Sequence, residues 1–286
     1  MNRVYRGFQL KTGRFPLSRP PTLSPRRRAS PSHRRAFGLC LALAAACASP
    51  PAHADPGALW RIVHDGCVPH FEAGQGPKPC EAVDLDGSAA EGVAILKDRV
   101  GVAQMLAIPT RRISGIEDPQ MLAADAPPVF SDGWKAKRFV EARLGGEAPP
   151  REAISLAINS QYIRSQDQLH VHVDCVRVDV IEALKAYAPA LDDQWRPMTV
   201  ALAGHTYFAR RLVSDDLVHE EPLLRLVADG VPDAKAHMGA MTFAAVGAAF
   251  DGKPGFVLLA DVFSLEGGGH AEDLQDHNCA VARTAP

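Results

Sequence analysis

The chain is predicted to fold as an α+β domain in which helices pack on an antiparallel sheet. Two observations carry that expectation. Short apolar runs such as "GVAILKD", "AQMLAIPT" and "EAISLAINS" have strand length and end in turn residues. Between them lie stretches with apolar residues at helical spacing and recognisable ends. A third observation concerns organisation: the strand-turn-strand layout of residues 92–110 recurs in outline at 241–263, which permits two related halves in one chain.

The first 54 residues stand apart from that body. They hold ten of the 31 Lys and Arg but none of the 33 Asp and Glu, and prolines at 16, 20, 21, 25 and 31, so nothing there can build a core. From Arg34, "RRAFGLCLALAAACASPPAHA" runs from basic residues through an apolar stretch to the small-x-small end Ala52-His53-Ala54. That is the pattern of a secretory signal cleaved near Ala54, and its apolar stretch is well short of the roughly 20 residues that span a bilayer. The predicted organisation is an extension and signal over 1–54 and one domain over 55–286. Without the extension the charge is −12, because ten cations and no anions leave with it. Such an acidic body excludes nucleic acid as a partner, since that binding needs clustered Lys and Arg.

The elements of the body follow in order. Asp55-Pro56 reads as a cap and first helical position before "GALWRIVHD". "GVAILKD" and "AQMLAIPT" are adjacent strands around a turn at 99–102. Ser131 opens a helix, "DGWKAKRFVEARLGG", with Trp134, Phe139, Val140 and Leu144 inward and Gly145 at its end. "EAISLAINS" is a strand, and the next runs from about Leu169 to Val176. "DVIEALKAYA" is a helix, "MTVALAG" and "HTYFARRLV" are strand candidates, and "EPLLRLVADGV" is a helix with Pro222 near its first turn.

Export leaves four cysteines, Cys67, Cys80, Cys175 and Cys279, and an even set in an oxidising compartment predicts two disulfides. Cys67 with Cys80 is the most economical of the three pairings, because "CVPHFEAGQGPKPC" is a short Gly- and Pro-rich loop. Cys175 with Cys279 then follows, closing a loop worth about 4 kcal/mol in the chain-entropy view.

The strand "QLHVHVDC" carries the chemistry. Alternation puts Leu169, Val171 and Val173 on one face and Gln168, His170, His172 and Asp174 on the other, with the imidazoles about 6.6 Å apart along the strand. Three readings compete for the polar face: a solvated strand surface, a His-x-His zinc site completed by His205, His237 or His270, and nucleophilic attack on phosphorus by a neutral imidazole. Walker, GxSxG and post-strand GxGxxG motifs are absent from the sequence.

The residues "HVHV", preceded by "AINS" and "RSQDQ", resemble the active-site segment of the histidine-triad (HIT-like) superfamily, His-φ-His-φ-His-φ with φ apolar. Gln168 stands where the first histidine is expected. The set "LWRIVHDGCVP", "PCEAV", "ILKD", "IPTRRISGIEDP", "SLAINS", "RSQDQLHVHVDC", "GHTYFARR", "HMGAM", "FVLLA" and "LQDHNC" is similar, more narrowly, to the CDP-diacylglycerol pyrophosphatase branch, and all four cysteines of the body lie in it. The resemblance implies a HIT-like antiparallel sheet and hydrolysis of CDP-diacylglycerol, or a related nucleotide-diphosphate lipid, to CMP and phosphatidate. The route is a nucleotidyl-histidine on His170, with His172 as donor to the phosphate. It implies no cofactor or metal, a periplasmic location and peripheral contact with the membrane surface. Nucleotidyl transfer to another acceptor, or nucleotide binding without turnover, are the alternatives. Many members of the superfamily pair as dimers, whereas a two-halved chain completes the sheet internally.

Substrate contacts are expected from Asn159, Arg164, Ser165, Gln166 and Gln168, all on or beside the segment that feeds the strand. Arg164 is expected to offset phosphate charge, and Gln168 to orient a phosphate oxygen through its amide. Thr110, Arg111 and Arg112 are further candidates near the nucleotide. Asp174, a negative charge near a diphosphate, is expected to point away or pair with an arginine. His205, Arg210 and His277 carry packing or hydrogen bonding by default.

Overall fold

In a computed structural model of the chain, residues 55–283 are described apart from 86–87, 89–90, 146–147, 219–221 and 265–267. The expected signal therefore lies outside the described residues. Nine strands form one sheet: β1 (Ala82–Asp84), β2 (Val93–Lys97), β3 (Met105–Pro109), β4 (Ile154–Ile158), β5 (Val171–Cys175), β6 (Arg196–Pro197), β7 (Phe208–Leu212), β8 (Met241–Phe250) and β9 (Lys253–Val262). They lie in the order β1-β2-β3-β5-β4-β8-β9-β7-β6, and every neighbouring pair is antiparallel.

That order has a repeat in it. Moving outward from the β4–β8 contact, one side reads β4, β5, β3, β2 and the other β8, β9, β7, β6, so the four strands β2 to β5 and the four strands β6 to β9 are laid down alike. The two halves expected from the sequence exist as topology, but in a different phase. The β8–β9 hairpin takes the place of β4–β5, not that of the 92–110 hairpin, and one chain makes the sheet continuous.

One row of paired residues shows what this means for the site. Leu106, His172, Ala157, Ala244, Leu259 and Ala209 cross the sheet on a single face. Leu259 on β9 thus stands in the second half where His172 stands in the first. An apolar residue there needs no polar partner, so only one half is equipped for chemistry.

Helices cover both faces. On the face opposite the histidines, Leu169, Val171 and Val173 join Leu156, Phe243, Phe256 and Leu258 in the main core, under the helices α3 (Val129–Lys135), α4 (Lys137–Arg143) and α6 (Leu223–Gly230). Phe130 meets Phe243 edge-on at 5.3 Å and Trp134 meets Phe256 at 4.8 Å, and fully burying a side chain of this size is worth about 3 kcal/mol. On the histidine face two smaller clusters form. One packs α5 (Val178–Tyr187), through Val180, Ile181 and Leu184, over Ala157, Ala244, Val246 and Leu259. The other packs Leu59, Val63, Cys67 and Val68 against Leu106 and Ile108. His170 and His172 occupy the strip between these two clusters.

Several expected elements differ in extent. The first helix does not stop at Asp65: α1 (Ala58–Arg61) passes through a wider helical turn at Ile62–Cys67 into α2 (Val68–Glu72), so Cys67 is helical, with Pro69 in the next first turn. The helix opened at Ser131 begins earlier, at Val129, and breaks at Ala136 into α3 and α4. "MTVALAG" is not a strand: Ala203 and Gly204 take positive φ values of 50° and 91°, and only a tight Leu202–His205 bridge remains. Both disulfides pair as expected, Cys67 with Cys80 and Cys175 with Cys279.

Candidate active site

The polar face of β5 is not a solvated surface. His172 is 6% exposed and Asp174 and Gln168 are fully buried, whereas His170 is half-buried. The cover is the C-terminal segment. Thr242 on β8 donates from Oγ1 to the Ile158 carbonyl and accepts from the Ala271 amide, which seats the turn at Ala271–Leu274 over β4. Gln275 donates to the His172 carbonyl and to Ser155 Oγ, both at 3.1 Å, and the Asp276 amide donates to the Cys175 carbonyl. The Cys175–Cys279 bridge closes the segment onto the end of β5.

The two imidazoles lean together, with ring centroids 4.9 Å apart, closer than the spacing along the strand. His170 Nδ1 lies 2.7 Å from the carbonyl of Gln168. A carbonyl only accepts, so Nδ1 carries the proton and the lone pair of the neutral ring is on Nε2. Burial, aided by the neighbouring His172, brings the His170 pKa down to about 4, so the ring is neutral at physiological pH. It lines a narrow pocket of about 10 Å³ with Gly115, Asn159, Arg164, Gln168 and neighbouring apolar residues. Gly115 matters there because a Cβ would sit 2.1 Å from Arg164 Nη1.

Around His172 lies a network that the strand pattern does not reveal. Its Nδ1 is 3.1 Å from Gln104 Nε2 and 3.2 Å from Glu272 Oε1. Gln104 Nε2 also donates to Glu272 Oε1 at 3.1 Å, and Asn159 Nδ2 donates to Glu272 Oε2 at 2.8 Å. His277 reaches Asp174 through Nδ1 at 2.9 Å and Glu272 through Nε2 at 3.6 Å. Asp174 therefore pairs with a histidine, not with an arginine. Burial raises the Asp174 pKa against that partner, which in turn holds His277 above the ordinary range. Burial works against the Glu272 carboxylate too, but His172, Asn159, Gln104 and His277 together keep it below its usual value. Burial lowers His172 in spite of Glu272.

The expected contact residues divide. Asn159, Arg164 and Gln168 come together with His170 at the pocket. Arg164 pairs with Glu117 at 2.6 Å and with Asp167, so its charge is shared. Gln168 gives both amide hydrogens to carbonyls, of Pro109 and Arg111, each at 3.0 Å, so its NH₂ is committed to the backbone, while its buried Oε1 meets no hydrogen-bond donor among the described residues. Ser165 is exposed, and Gln166 ties the Leu59 amide and the Asp55 carbonyl, which anchors the first helix and leaves both outside the pocket. Arg111 donates to the Asp125 carbonyl and Arg112 lies over Trp60.

The zinc reading needs a third donor beside the pair. Among the described residues, the one group of three with converging ligand atoms is Asp174, Cys175 and Cys279, and its two sulfurs are bonded to each other. His205 instead faces Asp273 and stacks on His270. Gln104, Glu272 and Asp174–His277 are the residues that sequence reasoning missed or left without a role. "LQDHNC" contained His277 but stopped two residues short of Glu272.

A partly exposed neutral imidazole beside a buried, carboxylate-supported one defines a site suited to nucleophilic chemistry, on an antiparallel sheet. Comparison with known proteins gives the family. Residues 54–283 match the family model described as CDP-diacylglycerol pyrophosphatase. A CDP-diacylglycerol pyrophosphatase of Yersinia pestis is 42% identical over 233 residues, which cover 80% of this chain and 86% of that relative. The chain belongs to the CDP-diacylglycerol pyrophosphatase family.

Proposed function

We propose that the chain hydrolyses the pyrophosphate bond of CDP-diacylglycerol, releasing CMP and phosphatidate. Family membership supports the substrate, and one observation carries the chemistry: Nδ1 of His170 is held by the Gln168 carbonyl, which leaves Nε2 as the nucleophilic nitrogen in the pocket.

In the first step the Nε2 lone pair attacks the phosphorus next to cytidine, and the bond to the bridging oxygen breaks with its electron pair leaving on phosphatidate. The product is a CMP–imidazolium whose remaining proton stays on Nδ1, hydrogen-bonded to the Gln168 carbonyl. Water then attacks the same phosphorus, its proton passes to solvent, and the N–P bond breaks to restore the neutral ring. His172 donates to a phosphate oxygen, and Arg164 offsets charge at the rim, which an acidic body needs locally.

The reaction is placed at the periplasmic face of the membrane, with the protein in peripheral contact. The signal pattern before residue 55 and the two disulfides support an oxidising compartment. The test is to quench the reaction with CDP-diacylglycerol labelled in the cytidine phosphate and to map the label. Label on His170, lost with CMP release in His170→Ala, supports the proposal; full CMP release by His170→Ala removes it.

A further inference from the structure

His172 has a buried Nε2 that no protein atom meets among the described residues, while its Nδ1 is surrounded. Which ring nitrogen holds the proton decides what that buried atom offers a substrate. The answer lies in the two side chains against Nδ1, Gln104 and Glu272, neither of which belongs to the histidine motif.

Gln104 is fully buried at the start of β3, and Glu272 sits on the turn at Ala271–Leu274. One amide atom of Gln104 is 3.1 Å from both Glu272 Oε1 and His172 Nδ1. A carboxylate only accepts, so that atom is the NH₂ nitrogen, and one hydrogen points to Glu272. The second hydrogen is then available to Nδ1. Facing a donor, Nδ1 of the neutral ring accepts and the proton resides on Nε2. When the ring takes a second proton, Glu272 Oε1, 3.2 Å from Nδ1, receives it. In either state Nε2 bears hydrogen.

Resting on the proposed hydrolysis, we infer that Glu272 and Gln104 are positioning residues that keep His172 as an Nε2–H donor aimed at the phosphate of the substrate. Glu272 is itself fixed by Asn159 on its other oxygen and by His277, which Asp174 holds in turn. The other charged group that reaches the ring is Asp98, on the turn before Gln104. With Gln168 replacing the first histidine, this outer layer supplies the orientation that the strand motif alone lacks.

The test uses the protein labelled with ¹⁵N in its imidazoles, together with steady-state CMP release, for wild type, Glu272→Gln, Gln104→Leu and His170→Ala. Wild type is expected to show His172 with Nε2 protonated, and both outer variants to give a mixed or reversed tautomer. Their kcat is expected to fall about 10- to 50-fold with KM within threefold, less than the roughly 100- to 1,000-fold that outright loss of one preorganised donor costs. Glu272→Asp, which keeps the charge, is expected to recover part of kcat and the tautomer. A wild-type tautomer and kcat in both Glu272→Gln and Gln104→Leu overturns the inference while leaving the hydrolysis standing. A lowered melting temperature with an unchanged tautomer also overturns it, since that is the mark of a structural role. Should wild type release no CMP, or His170→Ala release it fully, the hydrolysis falls, and the tautomer spectra still decide the role of the two side chains.

Discussion

Acidification distinguishes the proposed nucleophile from an ordinary histidine. A free imidazole titrates near 6.5, but burial against the strand and the nearby His172 bring His170 down to about 4. At pH 5 about nine tenths of such rings remain neutral and nucleophilic, against about 3% for an unperturbed one, a difference of about 30-fold in competent enzyme. CMP release from CDP-diacylglycerol in mixed micelles, followed as kcat/KM from pH 3.5 to 8, is expected to hold on the acid side until below pH 5. Stability has the same sign. The unfolded ring binds its proton near 6.5 and the folded ring only near 4, so the unfolded state holds more protons in that window and stability is lost as pH falls through it. The loss is at most about 3 kcal/mol, and less because solvent reaches part of the ring. An acid limb centred near 6.5, and still present when free CMP release is not limiting, would refute the burial argument.

Three further outcomes follow from contacts at or near the site. Gln168→Ala removes two hydrogen bonds to the Pro109 and Arg111 carbonyls in a fully buried position, so urea unfolding should show a loss of about 1–3 kcal/mol, and an unchanged midpoint would contradict it. Arg164→Ala removes a cation from the pocket and takes the ion pair from Glu117, and is expected to raise KM for the anionic substrate about 10-fold, with a smaller change in kcat, in the same micelle assay. Replacing Cys175 and Cys279 with alanine opens a 104-residue separation against 13 for Cys67 and Cys80, so the chain-entropy cost is about 4 to 5 against about 3 kcal/mol. It should also lower kcat, because it frees the segment that carries Glu272, and equal kinetics in the two double variants would argue against that coupling.

How far the sequence reveals this molecule depends on the range of the interaction that decides each feature. Alternation along β5 is local, and it correctly separates Leu169, Val171 and Val173 from Gln168, His170, His172 and Asp174. It says nothing about what covers the second face, which is a tail about a hundred residues downstream joined through Cys279. Strand periodicity finds the hairpins at 92–110 and 241–263 but not their place in the sheet order, because hairpins of similar pattern fit at either position. "MTVALAG" has β-branched and apolar residues, yet positive φ at Ala203 and Gly204 turns the chain, and its Leu202 and Met198 are spent on packing under α5. The strand itself shows no partner for Asp174, so in sequence it stands as a bare charge near a diphosphate. Its partner, His277, comes from the tail.

The repeat explains why so much of the site comes from outside the motif. In the second half the row position of His172 is filled by Leu259, which packs under α5 by dispersion alone and needs nothing beyond its neighbours. A histidine at that depth in the first half creates a demand: its ring nitrogens are buried and each needs a partner or a ligand. The chain meets the Nδ1 demand with Gln104 from the start of β3 and Glu272 from the tail, and the disulfide between Cys175 and Cys279 keeps the tail on that strand. Nε2 is left over by construction, beside an imidazole whose own proton is already tied to the backbone. In the proposed mechanism the two histidines therefore do different work for a physical reason. His170 has its proton fixed on the far side and offers a lone pair, whereas His172 has its acceptor side occupied and offers a proton, the complementary pair that attack on a phosphate requires.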